Sequence, residues 1–77
     1  MIFETIRRVL SEQLEIEPEE IGLESDLEVD LNMDSLDGFE MIMALEEEFD
    51  LEIGEEAAEK FQTVGDVVDF VSSVIEE

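Results

Sequence analysis

Residues 26–49 read DLEVDLNMDSLDGFEMIMALEEEF, and the period of this stretch changes at Ser35. Before it, Asp26, Glu28, Asp30, Asn32 and Asp34 alternate with Leu27, Val29, Leu31 and Met33. A period of two is the signal of a strand, yet no other segment of the chain offers a partner. A lone strand would leave its backbone N–H and C=O groups unpaired, so the segment is expected to be a loop. From Ser35 to Phe49 the apolar residues fall at three- and four-residue spacings, the pattern of a helix. Asp34 stands where a helix cap is favoured, and Asp37 falls in the first turn, where the dipole stabilises negative charge.

On the amino-terminal side, Ile2, Phe3, Ile6, Val9, Leu10 and Leu14 make one apolar stripe and predict a first helix over residues 2–15. Pro18 is expected to close it and to open a long connection, residues 17–33, anchored by Ile21, Leu23, Leu27, Val29 and Leu31. On the carboxyl-terminal side, Gly54 precedes a short helix expected from Glu55 to Phe61. Thr63 and Asp66 then resemble a capping box for a last helix bearing Val64, Val67, Val68, Val71, Val74 and Ile75. The fold class is therefore all-α: one domain over residues 1–77, a four-helix bundle with three longer helices, a short third one and a long loop between the first two.

Apolar residues make up 44% of the 77, enough for a core, though a chain this short has a stability margin of only roughly 5–8 kcal/mol. Twenty-five acids against Arg7, Arg8 and Lys60 give a net charge of −22. Nucleic acid and anionic membrane are poor partners for such a surface. Basic residues are absent from Val9 to Glu59, so the acids there have no neighbour in sequence to neutralise them and are free for basic partners or cations. The longest apolar run, Met41 to Leu45, is too short to span a bilayer, and no signal-peptide layout is present. A cytoplasmic protein is expected, or one of an organelle lumen if a transit peptide has been removed. With no His, no Cys and one Lys, Ser35 has no evident base, and intrinsic catalysis is not expected.

A serine that opens a helix has a different use. Its hydroxyl sits among unpaired N–H groups at the positive end of the dipole, a favourable seat for a phosphate ester. The bland alternative is an ordinary first-turn serine. Helix two also carries more apolar residues than one core face needs: Ile42, Leu45 and Phe49 follow the inward spacing with Met41 beside them, while Leu36, Phe39 and Met43 form a second stripe. Fringed by Asp37, Glu40, Glu46 and Glu47, that stripe reads as a docking face. Gly38 costs about 1 kcal/mol relative to alanine within a helix and invites a reason. The alternating acids suggest one more reading, a calcium loop starting at Asp26, although Leu31 stands where that loop needs glycine and Asp37 where a bidentate Glu belongs.

The run Asp30-Leu31-Asn32-Met33-Asp34-Ser35-Leu36-Asp37, continued by Glu40, Met43-Ala44-Leu45-Glu46-Glu47-Glu48-Phe49, Ile53, Glu56, Ala58-Glu59-Lys60 and Thr63-Val64, closely resembles the acyl carrier protein family, in register from about residue 2 to 75. The resemblance implies a carrier, not an enzyme. A phosphopantetheinyl transferase (holo-carrier synthase) would move 4′-phosphopantetheine from coenzyme A to Ser35, between Asp34 and Leu36, and the thiol of the arm would hold acyl groups as thioesters. It also implies that Leu36, Asp37, Phe39, Glu40, Met43, Glu46 and Glu47 on helix two are read by basic patches of synthases, reductases, dehydratases and acyltransferases. The acyl chain would shelter between the second and third helices, with Gly38 and Phe61 at the mouth of that space, and the carrier would be a monomer without a metal. Type II fatty acid synthesis is the first pathway implied; a polyketide or other specialised pathway is the alternative, and an acidic calcium-binding or adaptor bundle without cofactor the outsider. The chain departs from the family at Asn32 and Gly54, where glycine and proline are common, and at Met33, where a small residue is.

Overall fold

The computed structural model describes residues 2–75. The stripe on the first helix, α1 (Ile2–Leu14), buries Ile6, Val9 and Leu10, and the helix packs against both α2 (Ser35–Phe49) and α4 (Val64–Ile75). Met41 and Leu45 are the buried residues of α2; Val64, Val67 and Val71 are those of α4. A five-residue α3 (Glu55–Glu59) lies between them in sequence and buries nothing completely. Ile21, Leu27, Leu31, Met33 and Ile53 from the connections complete the core. The expected all-α bundle of three longer helices and a short third one is the fold.

Several details differ from the sequence expectation. In α2 it is Met41, four residues before Leu45, that points fully inward, while Ile42 and Phe49 are only partly buried. Leu23 and Val29 do not anchor the long loop; Val29 is 79% exposed. Pro18 does not end α1, which stops at Leu14; it starts a 3-10 turn, Pro18–Glu20. Phe61 lies beyond the end of α3, and Val74 and Ile75 on α4 are exposed.

The alternating segment is a loop, but one tied down by its backbone. Gly65 N–H donates to Leu23 O, Val64 N–H to Ser25 O and Leu27 N–H to Gln62 O, at 2.9, 3.0 and 2.9 Å. The pairing amounts to one isolated bridge, Asp26 to Thr63, with no strand among the described residues. Within the loop the Asp26 carboxylate accepts the N–H groups of Glu28 and Val29, and Asp30 accepts that of Asp26. These acids cap the loop's own turn, and no group of three or more His, Cys, Asp or Glu placed to hold a metal ion occurs among the described residues. The Thr63–Asp66 box forms as expected: the Thr63 hydroxyl accepts the Asp66 N–H, and the Asp66 carboxylate accepts the N–H groups of Gln62 and Thr63. Those backbone donors, Gln62 first, hold the Asp66 carboxyl below its ordinary pKa.

Both α1 and α2 end the same way. Glu15 (φ 59°) and Asp50 (φ 54°) take the left-handed conformation, and the next N–H groups reach back, Ile16 to Ser11 O and Leu51 to Glu46 O, each at 3.2 Å. That motif normally uses glycine, because a Cβ is strained in left-handed backbone. At both ends a carboxylate also faces the negative pole of a helix with no basic residue in its last turn. Glu15→Gly and Asp50→Gly are therefore each expected to stabilise the fold by about 1 kcal/mol. For a domain of this size that raises the melting temperature by roughly 4–8 °C, readable by thermal denaturation. A fall in melting temperature for both would show that the left-handed strain is absent.

Candidate functional site

Ser35 is exposed and is the first residue of α2. What fixes it there is a reciprocal box stronger than the sequence indicated: the Asp34 carboxylate accepts the Asp37 N–H at 2.8 Å, and the Asp37 carboxylate accepts the Asp34 N–H at 3.3 Å. The Gly38 N–H begins the helical ladder on Asp34 O at 3.0 Å. Upstream, Met33 N–H closes the loop on Leu27 O at 3.0 Å, and Asn32 makes the turn before it with φ 57°, a left-handed conformation asparagine tolerates better than most residues. From α1, the Gln13 side-chain amide donates to Asp37 O at 2.6 Å. The serine is thus presented by a loop, a cap and a neighbouring helix, with its own side chain outward.

Ser35 also borders a cavity of about 460 Å³ between α2, α3 and the long loop. Leu27, Met33, Met41, Ile42, Ala58 and Phe61 give it apolar walls, with Gly38 and Phe39 on the α2 side and Glu28 and Asp34 at its edge. The bulk of Met33, which departs from the family pattern, is buried here as part of the wall. Gly38 and Phe61 both line this cavity, and a Cβ built on Gly38 would meet nothing within 4 Å. A phosphate ester on Ser35 fits this corner. With the Asp37 N–H taken by the Asp34 carboxylate and the Gly38 N–H by Asp34 O, the Ser35 and Leu36 N–H groups are those without an intrahelical acceptor by position, and a group hung from the serine can fold back into an apolar space.

The second stripe of α2 is exposed: Leu36 and Phe39 at 63% each and Met43 at 47%. Glu40 and Glu47 beside it are exposed as well, and both border a more polar depression of about 490 Å³ shared with Arg8, Glu12 and Gln13 of α1, away from Ser35. Asp37 and Glu46 are engaged elsewhere: Asp37 in the cap, and Glu46 as acceptor of the Ile53 N–H at 2.9 Å, where it shapes the turn after α2. Sequence reasoning missed this use of Glu46 and the Gln13 tether. Neither has a signal in the pattern, because each depends on a contact between separate segments. The inward place of Met41 was legible in its spacing from Leu45.

A family model described as a phosphopantetheine attachment site matches residues 4–71. An acyl carrier protein of Clostridium acetobutylicum is 49% identical over 77 residues, all of both chains. One of Thermosynechococcus vestitus is 47% identical over 74 residues, 96% of this chain and 91% of that one. One of Wolinella succinogenes is 51% identical over 72 residues, 94% of this chain and 95% of that one. A solved structure assigned as an acyl carrier protein from Mycobacterium tuberculosis superimposes with a TM-score of 0.92 at 33% identity, covering 97% of this chain and 100% of the other. Exposed serine, apolar cavity and matching relatives agree: the chain belongs to the acyl carrier protein family, whose members carry a 4′-phosphopantetheine group, work with synthases and a phosphopantetheinyl transferase, and are carriers rather than enzymes.

Proposed function

We propose that this protein holds growing acyl chains as thioesters on a 4′-phosphopantetheine arm joined to the Ser35 hydroxyl, serving type II fatty acid synthesis in the cytoplasm as a monomer. The observation that carries the reading is the placement of one exposed hydroxyl, at the head of α2, on the edge of an apolar cavity. The arm supplies the thiol that a chain without cysteine lacks. The residues do the rest: Asp34 and Asp37 hold the serine in place, and the cavity walls take the hydrocarbon out of water. The test is the intact mass of the protein produced together with a phosphopantetheinyl transferase, followed by malonyl loading and elongation with type II condensing enzymes. A gain of one arm and elongation of the bound chain are expected. No mass gain overturns the carrier role; a gain without elongation overturns the fatty acid pathway.

The docking face follows from the same geometry. Leu36, Phe39 and Met43 offer an apolar centre, and Glu40 and Glu47 an acidic fringe, to enzymes with an apolar contact inside a basic rim. Charge reversal at Glu40 or Glu47 is expected to slow transfer to partner enzymes about tenfold without moving the melting temperature downward, since both side chains are exposed. Raised salt should act alike, because such charges are screened within about 10 Å at 0.1 M. Reversal at Glu46 is expected to lower stability too, because its carboxylate accepts the Ile53 N–H. Transfer rates indifferent to both reversal and salt would remove α2 as the interface.

A further inference from the structure

One ring separates two depressions. Phe61 lines the cavity beside Ser35, and it also lines a second depression of about 420 Å³ between α3 and α4. It is the one residue common to both linings. On α3 the division falls between neighbours, with Ala58 on the first space and Ala57 on the second. The ring meets Phe70 of α4 edge-on, centroids 5.7 Å apart at 65°, and Phe70 lies on the second side.

Phe61 is built to move more easily than a core residue. It is only half-buried and lies beyond the last residue of α3, on the closing turn where its N–H bonds Ala58 O at 3.2 Å, so its ring is not enclosed on all sides by the core. Its closest aromatic partner holds it by an edge rather than a face. Small alanines flank it, and neither would obstruct a swing. Burying a few more methylenes outweighs the loss of one edge-on contact.

We propose that Phe61 is a movable partition: an acyl chain that outgrows the cavity beside Ser35 turns the ring aside and continues into the depression between α3 and α4, against Ala57 and Phe70. The inference rests on the carrier reading and adds to it a residue that sets how chain length is accommodated. Chains that fit within the first cavity leave the ring in place. Longer ones join the two spaces and end near the polar rim formed by Glu56, Lys60, Asp66 and Asp69, which limits further growth inside the protein.

The experiment uses the holo protein loaded with saturated acyl chains of graded length. Nuclear Overhauser contacts of the terminal methyl are measured together with melting temperature. Short chains are expected to show contacts to Met41 and Ile42 alone, and long chains contacts to the Ala57 methyl and the Phe70 ring. Asp69→Trp, an exposed change at the rim, fills the second depression without touching the first. It is expected to cut the stabilisation by long chains to the level given by short ones while sparing short-chain forms; Glu56→Trp provides the same plug from α3. A terminal methyl that never nears Ala57 or Phe70 at any length, or long-chain stabilisation untouched by both plugs, overturns the proposal. Absence of the arm on Ser35 would strike the carrier reading instead, and would be seen by mass before any chain is loaded.

Discussion

Ser35→Ala is expected to abolish the gain of phosphopantetheine mass completely while leaving the melting temperature within a few degrees of wild type. The first half follows from chemistry: the transferase needs a hydroxyl to attack the pyrophosphate of coenzyme A, and alanine has none. The second half follows from position. The Ser35 side chain is exposed and lies outside the hydrogen bonds of the cap, which run between Asp34 and Asp37. Surface changes of this kind fall within about 0.5 kcal/mol. Asp34→Ala gives the contrast, because it removes the acceptor of the Asp37 N–H and should cost about 1 kcal/mol while keeping the serine. The intact masses and melting curves of the two variants separate attachment from presentation. Modification of Ser35→Ala at any other residue would refute the assignment, whether or not the fold survived.

Phe61→Ala is expected to cost the apo protein roughly 2 kcal/mol, below the 3–5 kcal/mol typical of a fully buried ring because Phe61 is only partly buried. It loses the edge-on contact with Phe70 and opens the wall between two cavities. In a domain with so small a margin, the loss is a drop of roughly 8–16 °C in melting temperature. A long acyl chain should restore part of it by filling the void, so the stabilisation on acylation should be larger in the mutant than in wild type. Gly38→Ala should act in the opposite sense. Its methyl meets no atom within 4 Å, so the helix gains up to about 1 kcal/mol, but the methyl enters the cavity mouth and should reduce the benefit from acylation. Melting temperatures of apo and acylated forms of the three proteins decide it. Equal acyl-dependent stabilisation in wild type and Phe61→Ala would show that the ring does not gate the space.

The helices were legible where a local rule made them. The apolar stripe of α1, the Asp34 and Thr63 caps and the short segment after Gly54 depend on residues three or four apart, and the structure keeps each. The long loop was legible only in outline. Five apolar anchors were expected along it, and three of them are buried: Ile21, Leu27 and Leu31. Leu23 and Val29 point outward because the loop's course is set by bonds to Gln62, Val64 and Gly65, some forty residues away in sequence.

By itself the sequence determined the class of the fold, the serine at the head of α2 and the one-sided charge, since caps, periodicity and composition are properties of neighbours. The tertiary structure alone decided which acids remain available. Glu46 is drawn to the Ile53 backbone and Glu48 to Arg8 across the α1–α2 contact at 2.8 Å, leaving Glu40 and Glu47 as the exposed acids of the proposed docking face. It alone put Met33, Met41 and Phe61 around one cavity beside Ser35 and set Phe61 between that cavity and the next. The reason is geometric: a hydrogen bond or an apolar wall between distant segments exists only once the helices have packed, and no spacing along the chain encodes which side chains will face each other there.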